Sequence, residues 1–157
     1  MRVHIATDHA GMELSAHLIE HLRRSGHEVV DHGPQAYDAE DDYPGFCINA
    51  AQAVVIDQQA GRDALGIVLG GSGNGEQMAA NKVRGVRAAL AWSQETAKLA
   101  RQHNDANVVA VGGRQHPVDE ATLIIEAFLA EPFSDAERHV RRIGQIAAYE
   151  TTGSVSG

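Results

Sequence analysis

The sequence predicts one α/β domain over residues 1–150, with three α/β/α layers around a five-stranded parallel sheet of the Rossmann-like or flavodoxin-like kind. Two observations lead to this fold class. Short apolar runs alternate with segments whose apolar residues recur at helical spacing, and each connection is long enough to hold a helix, as parallel strands require. The 157 residues suffice to bury a core, and neither a repeat nor a linker divides them.

The first half of the chain predicts three strands and two helices. Leu14, Leu18 and Leu22 lie on one helical face, and Gly26 follows as the C-terminal stop of that helix. A continuously apolar segment is typical of a strand that is buried on both faces. In chain order we expect strand 2–7, helix 12–25, strand 27–31, an acidic loop at 37–44, helix 46–59 and the apolar strand 65–69.

The second half predicts two more strands and four helices. Ser93 is a suitable N-cap, Pro117 suits the first position of a helix, and Ser134-Asp135-Ala136-Glu137 has the spacing of a capping box. In chain order we expect helix 76–82, strand 86–91, helix 93–103, strand 107–111, helix 117–130, a last helix with the apolar stripe Ala136, Val140, Ile143 and Ala147, and a flexible tail at 151–157.

Charge and composition exclude several classes of partner. The chain has 21 acidic against 13 basic residues, which argues against nucleic acid as the main partner. Its one cysteine, Cys47, allows no intrachain disulfide and fits a reducing compartment. No apolar run reaches the ~20 residues that span a bilayer, and the N-terminus reads as a strand rather than a signal peptide. We therefore expect a cytoplasmic protein with no membrane partner, and without a thiolate cluster we expect no metal.

A glycine-rich turn, Gly70-Gly71-Ser72-Gly73-Asn74-Gly75, directly follows the third predicted strand. Such a turn exposes backbone N–H groups and lies where open α/β sheets bind their ligands. It is neither a Walker A loop nor a dinucleotide fingerprint. A tight strand-to-helix connection is the alternative, and Ser72 is then an ordinary turn residue instead of a hydroxyl that relays protons at ligand oxygens.

Glu76 directly follows this turn. A carboxylate at this position does not suit a phosphate-binding site. A base beside an oxyanion pocket suggests proton abstraction next to a carbonyl. The alternative is that Glu76 only complements the dipole of the helix that it begins.

Two further segments end at the same edge of the predicted sheet. Asp8 and His9 follow the first strand, and Gly112-Gly113-Arg114 follows the fifth. Polar residues at strand ends are candidates for ligand contacts, although Asp8 can instead cap the next helix.

His103 and Asn104 end a helix that precedes the fifth strand, so they lie at the opposite edge from the glycine turn. The helix dipole alone favours a histidine there. If these residues act in catalysis, they reach the pocket of a second subunit, and we therefore expect a dimer with shared sites.

Arginines supply the best basic cluster of this acidic chain. Arg138 and Arg142 are four apart on one helical face, and Arg141 and Arg114 add to them. Arginine suits phosphate, so a phosphate clamp competes with the plainer interpretation of a solvated charged face. Cys47 is interpreted as core filling.

Seven short motifs follow one another along the chain: Thr7-Asp8-His9-Ala10-Gly11, Asp42-Tyr43-Pro44, Gly71-Ser72-Gly73-Asn74-Gly75, Ala80-Asn81-Lys82-Val83, Arg87-Ala88, Arg101-Gln102-His103-Asn104-Asp105 and Gly113-Arg114. Together they resemble the type B ribose-5-phosphate isomerases, a family that also includes allose-6-phosphate isomerases and the subunits of galactose-6-phosphate isomerase. The resemblance covers nearly the whole chain.

The resemblance implies that the chain interconverts ribose 5-phosphate and ribulose 5-phosphate through an enediolate, in the non-oxidative pentose phosphate pathway, without metal or cofactor. Many members carry a catalytic cysteine at the end of the third strand, where this chain has Gly70. The chain is most similar to an actinobacterial-type subgroup with a glutamate base, and Glu76 matches that position.

The same resemblance implies a role for each site residue. Glu76 moves the proton between C2 and C1, and His103 with Asp8 assists ring opening. Ser72 and Asn104 hold sugar oxygens. The other implied substrate-binding residues are Tyr43 beside the sugar, the amides of Gly71, Gly73, Asn74 and Gly75 around the enediolate, and the phosphate ligands His9, Arg114, Arg138 and Arg142.

Two alternatives stay open. The substrate can be a six-carbon sugar phosphate such as allose or galactose 6-phosphate. The chain can also be a non-catalytic flavodoxin-like module that binds a phosphorylated effector. Pairing of the expected homodimers into a tetramer is open as well.

Overall fold

A computed structural model describes residues 1–155 and confirms the three-layer α/β/α fold around a five-stranded parallel sheet. A 3-10 turn at His9–Gly11 precedes the first helix. The elements are β1 Arg2–Ala6, α1 Met12–Arg24, β2 Glu28–Asp31, α2 Tyr43–Gln59, β3 Ala64–Gly70, α3 Asn74–Ala80, β4 Ala88–Leu90, α4 Gln94–Asn104, β5 Val108–Gly112, α5 Val118–Ala130 and α6 Glu137–Thr152.

The sheet has the strand order β2-β1-β3-β5-β4, and every neighbouring pair is parallel. All seven residues of β3 are buried, because this central strand is covered by helices on both faces. Gly70 pairs with Gly112 at the carboxyl ends of β3 and β5. The loops that follow β1, β3 and β5 therefore emerge side by side at one edge of the sheet.

Two apolar clusters separate the helices into layers. One cluster joins one face of the sheet to α1, α4 and α5 through side chains such as Leu18, Ala97 and Phe128. The other joins the opposite face to α2 and α3 through Cys47, Val54 and similar small residues. Cys47 is fully buried, in agreement with its interpretation as a core residue.

A buried charge network fixes α2 against β1. Asp57 of α2 accepts from the guanidinium of Arg2 at 3.0 Å, and its Oδ2 lies 3.0 Å from Nε2 of His4. The hydrogen bond from His4, followed by that from Arg2, lowers the pKa of Asp57. This anchor at the C-terminal end of α2 orients the whole helix, whose first residue, Tyr43, contacts the glycine turn.

Several predicted boundaries are shifted by local chemistry. Helix α2 begins at Tyr43 rather than at 46 because Pro44 lies in its first turn, where its missing N–H costs nothing. Helix α3 begins at Asn74 within the glycine turn, directly after Gly73. Pro117 is the N-cap of α5, one residue before its first turn. β4 has only the three residues 88–90 and forms the edge of the sheet.

The predicted capping box at 134–137 is wrong. Asp135 takes a positive φ of 53°, and α6 begins at Glu137 with Ala136 as an N-cap that offers no side-chain bond. Ser134 Oγ instead lies 2.9 Å from Nδ1 of His139. The N-cap of α4 is confirmed, because Ser93 Oγ accepts from the amide of Thr96.

Helix α6 lies on the outside of the domain. Among its residues only His139 is buried. The helix extends to Thr152, so it includes the first two residues of the predicted tail, and Ser156 and Gly157 lie outside the described residues. Within residues 1–155, none of the helices combines the length and the apolar character needed to cross a membrane.

Candidate active site

Three loops meet at the carboxyl edge of the sheet. The amide of Gly113 donates to the carbonyl of Gly70 at 2.7 Å, and that of Arg114 donates to Gly71 at 3.1 Å. These bonds join the turn after β5 to the turn after β3. The side chain of Arg114 crosses Gly71, since a Cβ on Gly71 would lie 3.6 Å from its Cδ and Nη1. The structure therefore brings together the segments that the sequence placed at this edge.

Glu76 is buried with its carboxylate directly over Gly70. A Cβ added to Gly70 would collide with Oε1 and Cδ of Glu76. Any side chain at position 70 would need the space that this carboxylate occupies. The lack of a side chain at Gly70 therefore leaves room for the Glu76 carboxylate at the carboxyl end of β3.

Burial raises the pKa of Glu76, and the negative charge of Asp8 raises it further. Backbone amides of Glu76 and Gly73 oppose this shift. A raised pKa suits a carboxylate that must take up and release a proton near neutral pH. The thiol of Cys47 is unsuited to that task, because burial first, then the charges of Glu76 and Asp8, raises its pKa to about 12.

The glycine turn itself is tightly constrained. Gly73 has a φ of +82°, and a Cβ there would lie 2.8 Å from Leu90 and 3.3 Å from the amide of Gly112. Ser72 Oγ accepts from the backbone and side-chain nitrogens of Asn74 at 3.3 Å. The Tyr43 hydroxyl contacts the turn at the Cα of Gly75. Ser72 and Asn74 are exposed on this turn, whereas Glu76 is buried.

Asp8, His9 and Asp41 form a second polar group at this edge. Asp8 caps the short turn that follows β1, since its Oδ1 accepts from the amide of Ala10 at 2.9 Å. His9 Nδ1 lies 2.6 Å from Oδ1 of Asp41. The candidate ligand atoms of Asp8, His9 and Asp41 all lie within 4.8 Å of one another, which is close enough for a cation to contact all three.

The remaining candidates lie elsewhere. His103 and Asn104 end α4 at the amino edge of the sheet, as the sequence predicted. The ring of His103 packs on that of His139 with centroids 4.4 Å apart. Burial lowers the pKa of His139, and the nearby side chains of Arg138, His103 and Arg142 lower it further, so these four residues are neighbours. The five residues of β5 separate this cluster from the glycine turn by about 16 Å.

Two open cavities extend along β4. One of about 460 Å³ is lined by Ser72 and Asn74 of the glycine turn together with His116 and Trp92. The other, of about 580 Å³, continues from Trp92 and Leu90 to Arg87 and Asn104. The cavities share Leu90 and Trp92, so an open groove runs along the edge strand from the glycine turn to Asn104.

Some polar residues were missed by the sequence analysis. Asp41 stands in a loop of several acidic residues, and nothing in its spacing distinguishes it. His139 follows Arg138 but shows its contact with His103 only in the fold. His17 and His21, four apart on α1, were also missed, although this spacing can hold a metal. Their rings stack with centroids 5.9 Å apart, and His21 Nε2 lies 2.7 Å from Oε1 of Glu126.

This geometry defines a class: an α/β protein with a buried carboxylate beside a glycine-rich turn at the carboxyl edge of a parallel sheet. Such an arrangement is suited to proton transfer next to a carbonyl. The chain belongs to the ribose/galactose isomerase family, whose sequence model matches residues 3–146.

Named relatives agree with this assignment. Ribose-5-phosphate isomerase B of Mycolicibacterium paratuberculosis is 58% identical over 97% of this chain and 93% of the relative. The protein of that name from Mycobacterium tuberculosis is 57% identical over 97% and 91%. The crystal structure of ribose-5-phosphate isomerase B from Mycoplasma genitalium with bound ribulose-5-phosphate superimposes with a TM-score of 0.89 at 42% identity, covering 96% of this chain and 97% of that one.

Substitution of Gly70 by alanine tests the space that the Glu76 carboxylate needs. The new methyl group would collide with that carboxylate and force it to move. A displacement of about 1 Å at a reacting centre costs roughly 100-fold in rate, and we expect a loss of that order in kcat. Gly45→Ala is the matched control, because a Cβ there meets nothing within 4 Å. Equal kcat values for the two variants, with both folded by circular dichroism, would refute this placement.

The raised pKa of Glu76 predicts the acid limb of the pH profile. If Glu76 acts as a base, it works only when deprotonated, and kcat/KM should then fall as the pH drops through a pKa above the ordinary glutamate value. Asp8→Asn removes a negative charge that raises this pKa, and the limb should move to lower pH although activity also falls. Measured profiles that superimpose after scaling would contradict the coupling between these carboxylates.

Proposed function

We propose that this protein interconverts D-ribose 5-phosphate and D-ribulose 5-phosphate, with Glu76 as the base. The observation that carries the proposal is the buried carboxylate over Gly70, in a chain that is 57–58% identical to proteins named ribose-5-phosphate isomerase B. A carboxylate held beside bare backbone amides suits transfer of a proton between adjacent carbons.

The proposed reaction starts with ring opening, assisted by His103 and Asp8. Glu76 then removes the C2 proton of the open aldose, and the C2 electron pair forms the C1–C2 double bond of the enediolate while negative charge collects on the former carbonyl oxygen. The hydroxyl proton of O2 passes to O1 as the ketone forms at C2. Glu76 returns its proton to C1. Ser72 and Asn104 hold the sugar oxygens during this transfer.

Enediolate stabilisation is assigned to the glycine turn. Amides at the start of a helix have no intrahelical backbone acceptor, and those of Gly71, Gly73, Asn74 and Gly75 precede or begin α3. The amide of Asn74 donates to Ser72 Oγ and that of Gly73 interacts with the Glu76 carboxylate, so these two would exchange their present acceptors for the enediolate. An oxyanion donor of this kind is worth about 3 kcal/mol in a preorganised site. The Tyr43 hydroxyl, which contacts Gly75, borders the sugar in this arrangement.

The phosphate group is assigned to His9 and Arg114 of one subunit with Arg138 and Arg142 of its partner. Arg114 stands beside the glycine turn, whereas Arg138 and Arg142 lie near His103 at the other edge of the sheet. These three arginines form no ion pair within residues 1–155, so their guanidinium groups are available to a dianion.

The distance between the glycine turn and the cluster around His103 leads to a homodimer with shared sites. Residues about 16 Å apart in one chain can meet only when a second copy supplies one set. The surface along β4 and α6 fits such a contact, because α6 buries only His139 and an edge strand has unpaired backbone groups. Large apolar side chains are exposed around this surface: Met78, Trp92, Val140, Ile146 and Tyr149.

The role of Glu76 is tested by Glu76→Gln, which keeps the shape and removes the base. Turnover of ribose 5-phosphate should fall by about 10²–10⁴, the usual contribution of general base catalysis, while the sugar phosphate still binds. Glu95→Gln is the matched control, since Glu95 is also a glutamate in the first turn of a helix but is exposed. If Glu76 only complements the helix dipole, both variants will lose about 0.3–1 kcal/mol of stability and keep their turnover.

Subunit mixing tests the shared site. Glu76→Gln and His103→Ala homodimers should both be nearly inactive. A heterodimer would contain one intact site, with Glu76 of one subunit and His103 of the other, so random exchange should restore about a quarter of wild-type activity. Mixing Glu76→Gln with a Glu76→Gln/His103→Ala double variant should restore none. Absence of recovery in purified, differently tagged heterodimers would show that each site is built within one chain.

A further inference from the structure

Asp41 lies in the irregular segment between β2 and α2 and directs its carboxylate at His9. Its Oδ1 accepts from the backbone amide of His9 at 3.1 Å and lies 2.6 Å from His9 Nδ1. Only 8% of the Asp41 side chain is exposed. A buried carboxylate is costly unless its oxygens are paired, so this contact needs an explanation.

His9 is the only residue that Asp41 holds through its carboxylate. The second oxygen, Oδ2, is buried and has no hydrogen-bond partner within the described residues. Both contacts of the carboxylate are with His9, one with its ring and one with its amide, which begins the 3-10 turn after β1. Any residue at position 9 would offer the amide, so the contact with the ring is the one that is specific to histidine.

The contact determines which ring nitrogen of His9 faces a ligand. A carboxylate only accepts, so Nδ1 carries the hydrogen that lies between it and Oδ1. Nε2 is then the nitrogen left for the substrate. The edge of Tyr37, from the same segment, packs against the ring with centroids 6.1 Å apart. Together the two residues fix both the position and the direction of the imidazole.

Recognition of a phosphate dianion depends on this arrangement. A dianion offers only acceptors to a histidine, so Nε2 must donate to it. The bound ring then carries both N–H groups and lies between Asp41 on one side and the phosphate on the other. The negative charge of Asp41, whose side chain is only 8% exposed, compensates the imidazolium.

We propose that Asp41 is a positioning residue, which sets the affinity of the site for the phosphate group through His9. This inference rests on the proposed role of His9 as a phosphate ligand. Asp41 touches neither the reacting carbons nor the base. Its loss therefore weakens binding and leaves the chemical step almost unchanged.

The first test compares Asp41→Ala with Asp41→Asn. Loss of a hydrogen bond to a charged group weakens binding by about tenfold. Asp41→Ala should raise KM for ribose 5-phosphate and the Kd for inorganic phosphate, measured by calorimetry, by that same factor, with kcat within about twofold of wild type. Asp41→Asn retains an acceptor for Nδ1 but loses the negative charge, so it should recover part of the lost affinity. Asp38→Ala, an exposed aspartate of the same loop, is the control.

A double-mutant cycle with His9→Ala completes the test. In the His9→Ala background, Asp41→Ala should cause no further loss of phosphate affinity. Full additivity, a fall in kcat without a change in KM, or an Asn variant as weak as the Ala variant would each overturn the proposal. The Kd for inorganic phosphate is measured without turnover. A wild-type protein that binds phosphate but does not isomerise the sugar would therefore refute the proposed function. The role of Asp41 in binding phosphate could still be measured in that case.

Discussion

The space over the Cα of Gly70 is the constraint on which the site depends. Position 70 is the last residue of the central strand, where the sheet is fully buried and the glycine turn begins. A side chain there and the Glu76 carboxylate exclude each other. A chain can therefore place a reactive group at this point in two ways, from the strand itself or from the helix that follows. In this chain a carboxylate from the helix, that of Glu76, occupies this point, and glycine at the strand end is a requirement of that arrangement.

The position of the Glu76 carboxylate also determines how charge is distributed at this edge of the sheet. Glu76 lies near Asp8, and Asp8 lies near Asp41, so the carboxyl edge of the sheet carries several negative groups before any substrate arrives. Repulsion among buried carboxylates favours a protonatable base but opposes a phosphate dianion. One exposed arginine at this edge, Arg114, does not balance them. Cations from a second chain would restore the balance, which gives an electrostatic reason for a shared site in addition to the geometric one.

The sequence predicted the layers and strand positions because buried parallel strands and amphipathic helices have strong periodic signatures. It failed where a side-chain contact replaces the one that a local motif suggests, or where a contact joins residues far apart in sequence. Ser134 has the spacing of a cap, yet its hydroxyl pairs with His139, and the helix starts without a side-chain cap. Asp41 was not predicted because its role depends on a contact with His9, which is 32 residues away in the sequence. Glu76 was identified from its place after the turn, but its position over Gly70 appears only in three dimensions.

Cys47 shows why proximity alone does not make a catalytic group. Its thiol lies close enough to Glu76 and Asp8 for their charges to raise its pKa, and burial raises that pKa still more, to about 12. A thiol in this state does not ionise at neutral pH and is a poor base and nucleophile. The negative groups that help Glu76 to accept a proton also prevent Cys47 from losing one. Burial and the nearby carboxylates raise the pKa of both Glu76 and Cys47. Only the carboxylate has an ordinary pKa low enough for this shift to bring it toward neutral pH.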